Sequence, residues 1–315
     1  MTALPIVALT APIHPDAHAR LAQAAQVRTA ADASPDALRA VVRDAQGLIV
    51  RNHLPEDIFD HAPQLRFVVR HGVGLDMIPV AQATARKIVV ANLPGSNTAA
   101  VVEYCLSAML HLRRNLVGMD ARLRSDGWAP ARAMADGGTE LQGAVCGIVG
   151  LGAIGSQLAA VVRALGMRVV GLTRRPDALP AGVAAVDKQA LMQTADVIVL
   201  CCPLTPETRG MIDAHALAWA KPHALLINVA RGPVIDTPAV IDALAQGRLG
   251  GAALDVHDVQ PLPADAAVLA APRLLLTPHV AGTTATSMRR MSDGAVDDML
   301  RLLRGDAPSN QVNTF

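Results

Sequence analysis

Residues 144–155, Ala-Val-Cys-Gly-Ile-Val-Gly-Leu-Gly-Ala-Ile-Gly, constrain the fold of this chain more than any other stretch. Gly147-Ile148-Val149 is a short apolar run of the kind that forms a buried strand. It ends in Gly150-x-Gly152-x-x-Gly155, with Ala153 and Ile154 before the last glycine, and passes directly into a helical pattern over 156–162. Strand, glycine turn and helix in that order form a dinucleotide-binding turn. Gly150 permits the tight turn, Gly152 lets a pyrophosphate approach the backbone, and Gly155 lets helix and strand pack closely. Phosphate oxygens then meet the free N–H groups of the first helical turn. Gly166 ends the helix and residues 168–172 read as a second strand, which completes a βαβ unit.

The rest of the chain repeats this alternation. Before the glycine turn, residues 6–9, 47–50, 66–69 and 88–91 read as strands, and 15–27 and 35–45 as helices. After it, strands are predicted at 197–200, 225–228, 252–255 and 274–277. These runs lack apolar/polar alternation and are separated by helical patterns, so they belong in parallel sheets covered on both faces. A long helix is predicted from Asn97 to about Leu116, then an irregular segment with Trp128 and Pro130. A last helix spans about Thr284 to Leu303. The 315 residues suffice for two such α/β halves. Open parallel sheets bind ligands beyond the carboxyl ends of their strands, so a crevice between the halves is the expected site.

Composition removes several function classes. A formal net charge of +1 with scattered Lys and Arg, and 2% aromatic residues, argue against a nucleic-acid surface. No apolar run approaches a membrane span, and the N-terminus reads as a first strand and not as a signal peptide. Cys105, Cys146, Cys201 and Cys202 lie in apolar surroundings without metal-ligand spacing, so no metal site is expected and buried thiols in a cytoplasmic protein are.

Two polar residues stand just beyond strands on the ligand side. Arg231, in Asn228-Val229-Ala230-Arg231-Gly232-Pro233-Val234, offers a guanidinium suited to bidentate capture of a carboxylate. His279, in Thr277-Pro278-His279-Val280-Ala281-Gly282, offers a side chain able to give and take a proton near neutral pH. Reduction of a 2-oxo acid by a nicotinamide needs such a cation and such a proton donor.

With Leu254-Asp255-Val256, these segments resemble the family of D-isomer-specific 2-hydroxyacid dehydrogenases. The likeness extends over nearly the whole chain. It includes Arg70-His71-Gly72-Val73-Gly74-Leu75-Asp76, residues 97–103, the glycine turn, and Pro203-Leu204-Thr205-x-x-Thr208-Arg209-Gly210. The resemblance implies two doubly wound parallel-sheet α/β domains. A flavodoxin-like substrate domain comprises 1–98 completed by 285–315, and a Rossmann nucleotide domain comprises 99–284. It implies that Arg231 binds the substrate carboxylate and keto oxygen, that His279 is the acid/base, and that N–H groups around Val73 and Gly74 cradle the carboxylate. Asp255 would support the nicotinamide carboxamide, with Pro203, Thr208, Val229 and Ala230 also against the cofactor and Asn97 against the substrate. In members that act on phosphorylated substrates an arginine matching Arg70 touches the distal anion. The family likeness also implies a homodimer through the helix after Asn97, and hinges near 94–97 and 283–286 that close the halves and exclude water.

One position departs from the pattern. The family usually carries a glutamate that hydrogen-bonds the catalytic histidine; this chain reads Asp255-Val256-His257-Asp258-Val259-Gln260-Pro261. Gln260 can orient His279 but brings no charge. Loss of a neighbouring carboxylate lowers a histidine pKa by about one unit, about 1.4 kcal/mol. Reduction needs His279 protonated, so the expected reductive optimum is unusually acidic unless Asp258 supplies the charge. Formate dehydrogenases, which resemble the family, share glutamine here and an asparagine at Asn97. Corepressors of the C-terminal-binding-protein type, also similar, sense dinucleotides without needing a strong acid/base, but this chain keeps both Arg231 and His279.

Cofactor choice rests on the end of the second strand of the βαβ unit. An NAD enzyme usually carries Asp or Glu there, whereas arginine accommodates the 2′-phosphate of NADP. The chain reads Thr173-Arg174-Arg175-Pro176, with two cations, a hydroxyl and no local carboxylate. NADP(H) is therefore expected over NAD(H).

Overall fold

The computed structural model describes residues 3–315. The chain divides into two compact units, one ending at Asn97 and completed by Thr283–Phe315, the other spanning Thr98–Gly282.

The first unit holds five parallel strands: β1 (Ile6–Leu9), β2 (Gln26–Thr29), β3 (Gly47–Val50), β4 (Phe67–Arg70) and β5 (Val89–Ala91), ordered β2-β1-β3-β4-β5. Its helices are α1 (Pro15–Ala22), α2 (Pro35–Val42), α3 (Val80–Ala85) and, from the end of the chain, Ala285–Arg304. That last helix starts at a capping box in which Thr284 and Ser287 exchange side-chain and backbone bonds, and it stops at Gly305 in the left-handed region. Its Met291, Ala295, Val296 and Met299 pack with Val7, Ile49 and Val69 of the sheet. The other face buries Leu38, Val41 and Val42 of α2 with Leu48, Val50 and Val68. A sheet covered on both faces explains why β3 is uniformly apolar. β2 differs. Its Gln-Val-Arg-Thr is partly exposed at the sheet edge, and the sequence pattern, which extended the preceding helix to residue 27, missed it for that reason.

The second unit holds seven parallel strands: β6 (Val145–Val149), β7 (Arg168–Leu172), β8 (Val183–Ala185), β9 (Val197–Leu200), β10 (Leu225–Asn228), β11 (Gly251–Leu254) and β12 (Leu274–Leu276). Their order is β12-β11-β10-β9-β6-β7-β8. The order reverses between β6 and β9, the switch point at which such sheets bind ligands. The helices of this unit are α4 (Thr98–Arg114), α5 (Leu116–Asp126), α6 (Trp128–Ala133), α7 (Ala153–Ala164), α8 (Lys188–Thr194), α9 (Ala214–Ala218) and α10 (Thr237–Ala245), so the terminal helix is α11. The expected irregular stretch after α4 is in fact helical. Asn115, with φ +45°, breaks α4 and caps α5 through the Gly118 N–H, and Pro130 fits because the first turn of α6 has no N–H to lose. Short, exposed β8 is the second strand that apolar runs did not reveal.

The start of β9 is tied by charge. Asp196 accepts bonds from Lys221 Nζ at 2.8 Å, the Val145 N–H at 2.7 Å and His223 Nε2 at 3.0 Å. Burial opposes its ionisation, but these partners win and hold its carboxyl down at about 2. All four cysteines are free, and burial pushes Cys146 up to about 12.

Candidate active site

The candidate site lies along the carboxyl rim of the second sheet. Register sets Val149, Leu200, Asn228, Leu254 and Leu276 level across β6, β9, β10, β11 and β12. The residues that follow, Gly150, Cys201, Val229, Asp255 and Thr277, form one edge.

At β6 the glycine turn has the expected geometry. Gly150 takes φ +90°, and a Cβ there would lie 2.8 Å from the Cys202 backbone; a Cβ on Gly155 would lie 2.1 Å from the Gly150 carbonyl oxygen. Gly152, in contrast, has nothing within 4 Å of where a Cβ would be, and it caps α7, whose first residues are Ala153 and Ile154. Open space before a bare helix N-terminus fits a dinucleotide pyrophosphate. Next to it, the Thr208 hydroxyl donates to the Pro203 carbonyl at 2.8 Å and closes the 203–208 loop.

At the end of β7, Thr173 Oγ1 accepts from the Arg175 N–H at 3.1 Å, and Arg174 and Arg175 are exposed. Residues 173–176 hold no carboxylate beside these cations, but a distant one feels the charge of Arg174. The Glu207 carboxyl is held below the usual carboxylate range, first by the Thr205 hydroxyl and also by the charge of Arg174. An electrostatic influence across 33 positions leaves no local sequence signal.

At β10, buried Asn228 shapes the Arg231 loop. Its Oδ1 accepts from the Ala230 N–H and its Nδ2 donates to the Arg231 carbonyl, both at 3.0 Å. Val229 is half-buried and Ala230 buried. Arg231 is half-buried, and its Nη1 donates to the Ala230 carbonyl at 2.6 Å. A Cβ on Gly232 would stand 2.2–2.4 Å from the backbone of His257 and Asp258, so only glycine lets the arginine loop meet the loop after β11.

That second loop carries Gln260 and faces His279. The Gln260 Oε1 can only accept, so the 2.9 Å contact with His279 Nδ1 makes Nδ1 the donor. The Gln260 amide nitrogen donates back to the His257 carbonyl at 3.3 Å, which fixes the amide. Asp258, the rival for this role, instead accepts from the Thr237 hydroxyl at 2.8 Å. His279 is exposed and takes φ +58°, a left-handed conformation that costs about 1–3 kcal/mol outside glycine and concentrates at functional sites.

Asp255 pins that turn. It is 1% exposed. Its main-chain carbonyl accepts the His279 N–H, Oδ1 accepts the Val280 N–H and Oδ2 the Ala281 N–H, each at 2.8 Å. The Thr277 hydroxyl adds a 2.7 Å bond to Oδ1. Its carboxylate is thus enclosed and accepts three bonds from the histidine turn. Sequence reasoning missed Asn228, Gly232, Thr277 and Tyr104 here, because one polar or small residue at a strand end or on a helix looks unremarkable without its partner.

The first unit supplies the remaining candidates. Arg70 donates to the carbonyls of Gly74 (3.0 Å), Val50 (2.9 Å) and His71 (2.6 Å). Its guanidinium thereby shapes the 71–74 loop. The Val73 carbonyl takes the Asn92 side-chain N–H at 2.7 Å. Asn97 keeps a buried Oδ1 that meets no hydrogen-bond partner among the described residues.

Residues 106–281 match the family model described as D-isomer specific 2-hydroxyacid dehydrogenase, NAD binding domain. The chain is 33% identical over 313 residues to a D-3-phosphoglycerate dehydrogenase of Methanocaldococcus jannaschii, covering 98% of this chain but only 59% of that protein's length. It is 34% identical over 280 residues to a glyoxylate reductase of Thermococcus litoralis, covering 86% of this chain and 83% of the relative. Among solved structures it matches an NADPH-dependent glyoxylate/hydroxypyruvate reductase of Sinorhizobium meliloti, in complex with NADP and malonate, with a TM-score of 0.87 and 29% identity over 98% of this chain and 96% of that one.

Proposed function

The chain belongs to the family of D-isomer-specific 2-hydroxyacid dehydrogenases, and on that premise we propose that it reduces a small 2-oxo acid to the D-2-hydroxy acid, using NADP(H) in preference to NAD(H). The observation that carries the proposal is the pairing of His279 Nδ1 with Gln260 Oε1 on the same rim as Arg231. A histidine on an exposed turn, oriented through one ring nitrogen, is suited to acid/base chemistry.

The glycine turn, the N-terminus of α7 and Thr173–Arg175 would hold the nucleotide, which when bound supplies the hydride. The chain's own residues do the rest. Arg231 holds the substrate carboxylate and polarises the keto oxygen. Protonated His279 gives its Nε2 proton to the oxygen as the alcohol forms, and Gln260 keeps the ring in the tautomer that returns it. The Val73 and Gly74 carbonyls bond to Asn92 and Arg70, which turns the acceptors of that loop away from an anion and leaves its N–H groups to cradle the carboxylate. Asn97 offers its amide to the substrate. Leu110, Leu116, Val117, Leu123 and Trp128, the last 76% exposed, put an apolar surface on α4–α6, which supports a homodimer through that face.

Initial rates with NADPH and NADH against glyoxylate, hydroxypyruvate and bulkier 2-oxo acids test the proposal, with formate and NADP in the reverse direction. Turnover of one oxo acid with NADPH preferred is the expected result. Tight nucleotide binding without turnover would replace catalysis by sensing, and turnover of formate alone would replace the oxo acid. Glu207→Gln should strengthen NADP(H) relative to NAD(H) by no more than about two- to fivefold, because it removes an exposed negative charge that feels Arg174 and would oppose a phosphate.

A further inference from the structure

Tyr104 is the one tyrosine in the chain, and it stands on α4 one residue beyond the 97–103 motif. Its hydroxyl lies 2.7 Å from Thr277 Oγ1, which lies 2.7 Å from Asp255 Oδ1. Hydrogen positions in this chain follow from counting. A carboxylate only accepts, so Thr277 spends its single hydroxyl hydrogen on Asp255, and Tyr104 must therefore be the donor to Thr277. The Thr277 carbonyl is taken as well, by His257 Nε2–H at 3.0 Å.

From Thr277 to Ala281 every backbone N–H is then accounted for. Thr277 donates to the Leu254 carbonyl at 3.1 Å, Pro278 has none, and residues 279–281 all donate to Asp255. This accounting is what keeps His279 in its left-handed backbone conformation. We propose that Tyr104 is a positioning residue for the reaction, acting on His279 through the directional chain Tyr104 O–H to Thr277 O–H to the Asp255 carboxylate. The proposal rests on the reductase reading for its kinetic consequences, though not for its geometry. Burial pushes the tyrosine hydroxyl up to about 12 against the pull of Thr277, so it stays a donor over the whole working range.

The test is a double-mutant cycle of Tyr104→Phe and Thr277→Val, read as kcat and KM separately. A parallel measurement follows the carbethoxylation rate of His279, resolved by mass spectrometry with buried His71 as internal control. Tyr104→Phe should lower kcat about three- to tenfold with the substrate KM unchanged. Thr277→Val should lower it about ten- to hundredfold and Thr277→Ser should restore it. In the Thr277→Val background Tyr104→Phe should add less than about twofold, since the chain is already cut. The His279 modification rate should change in the same variants and in the same order. Equal losses from Tyr104→Phe in both backgrounds, or a loss confined to KM or melting temperature, would overturn the proposal. If wild-type protein turns over no oxo acid, the reductase reading fails, while the modification rates still decide for or against the chain.

Discussion

His71 and His279 each follow a parallel strand at its carboxyl end, and each has a ring nitrogen held by a side-chain oxygen. His71 Nε2 meets Ser292 Oγ at 2.8 Å; His279 Nδ1 meets Gln260 Oε1 at 2.9 Å. The Ser292 hydroxyl spends its hydrogen on the Met288 carbonyl, so His71 donates to it just as His279 donates to Gln260. There the likeness ends. His71 is 3% exposed. Burial first, then the charges of Arg51 and Arg70, push it down to about 3, so it is a neutral bolt between the β4 loop and α11. His279 stands exposed on a turn whose backbone is fixed from beneath. A hydrogen-bond partner alone does not make a histidine an acid/base; access and an opposing fixed turn do.

The largest expected effect breaks the comparison on the chemical side. His279→Ala should lower kcat by about a thousandfold or more while the melting temperature stays within a few degrees, as judged by steady-state kinetics and thermal unfolding, since a placed general acid contributes about 10²–10⁴-fold. The mirror substitution His71→Gln should leave kcat within a fewfold and show itself in acid unfolding. A histidine whose folded pKa is depressed contributes full stability above its unfolded value of 6.5, and that stability is lost as pH falls toward 3. Between pH 7 and 5 the wild type should therefore lose about 2 kcal/mol through His71 alone, and the glutamine variant should not. Urea midpoints at the two pH values measure this, and an acid limb identical in the two proteins would show that His71 is not sealed.

A third change sharpens the comparison without removing either ring. Gln260→Glu keeps the acceptor but adds charge, so the pH limit of reduction should move up by about one unit, worth about 1.4 kcal/mol. An unmoved profile of kcat against pH would assign the compensating charge elsewhere, Asp255 being the carboxylate that braces the same turn.

The sequence revealed the buried parts of the fold and the polar ends of strands. Uniformly apolar β3 and β9, the apolar run that opens β10 and the glycine turn before α7 were legible because full burial on two faces favours such composition. Edge strands β2 and β8 were not, since half-exposed residues follow no apolar rule. In the candidate site, the strand-end positions of Arg231 and His279 and the Gln260 partner of His279 were legible. The bonds that hold Asp255 and Arg70 in place were not, because the carbonyls and N–H groups that reach a charged group come from distant positions. The influence of Arg174 on Glu207 and the Tyr104–Thr277 bond lie beyond sequence reading for the same reason.

The near-contact at Gly232 has a consequence for how such an enzyme can change. Backbone lies against backbone where the Arg231 loop meets His257 and Asp258, so no side chain can be inserted at the joint. The arginine and the amide that steers the histidine are thus inherited as one block. New substrate tastes, whether evolved or engineered, must be written into residues around that block, and a graft that moves one loop without the other would leave guanidinium and imidazole out of alignment.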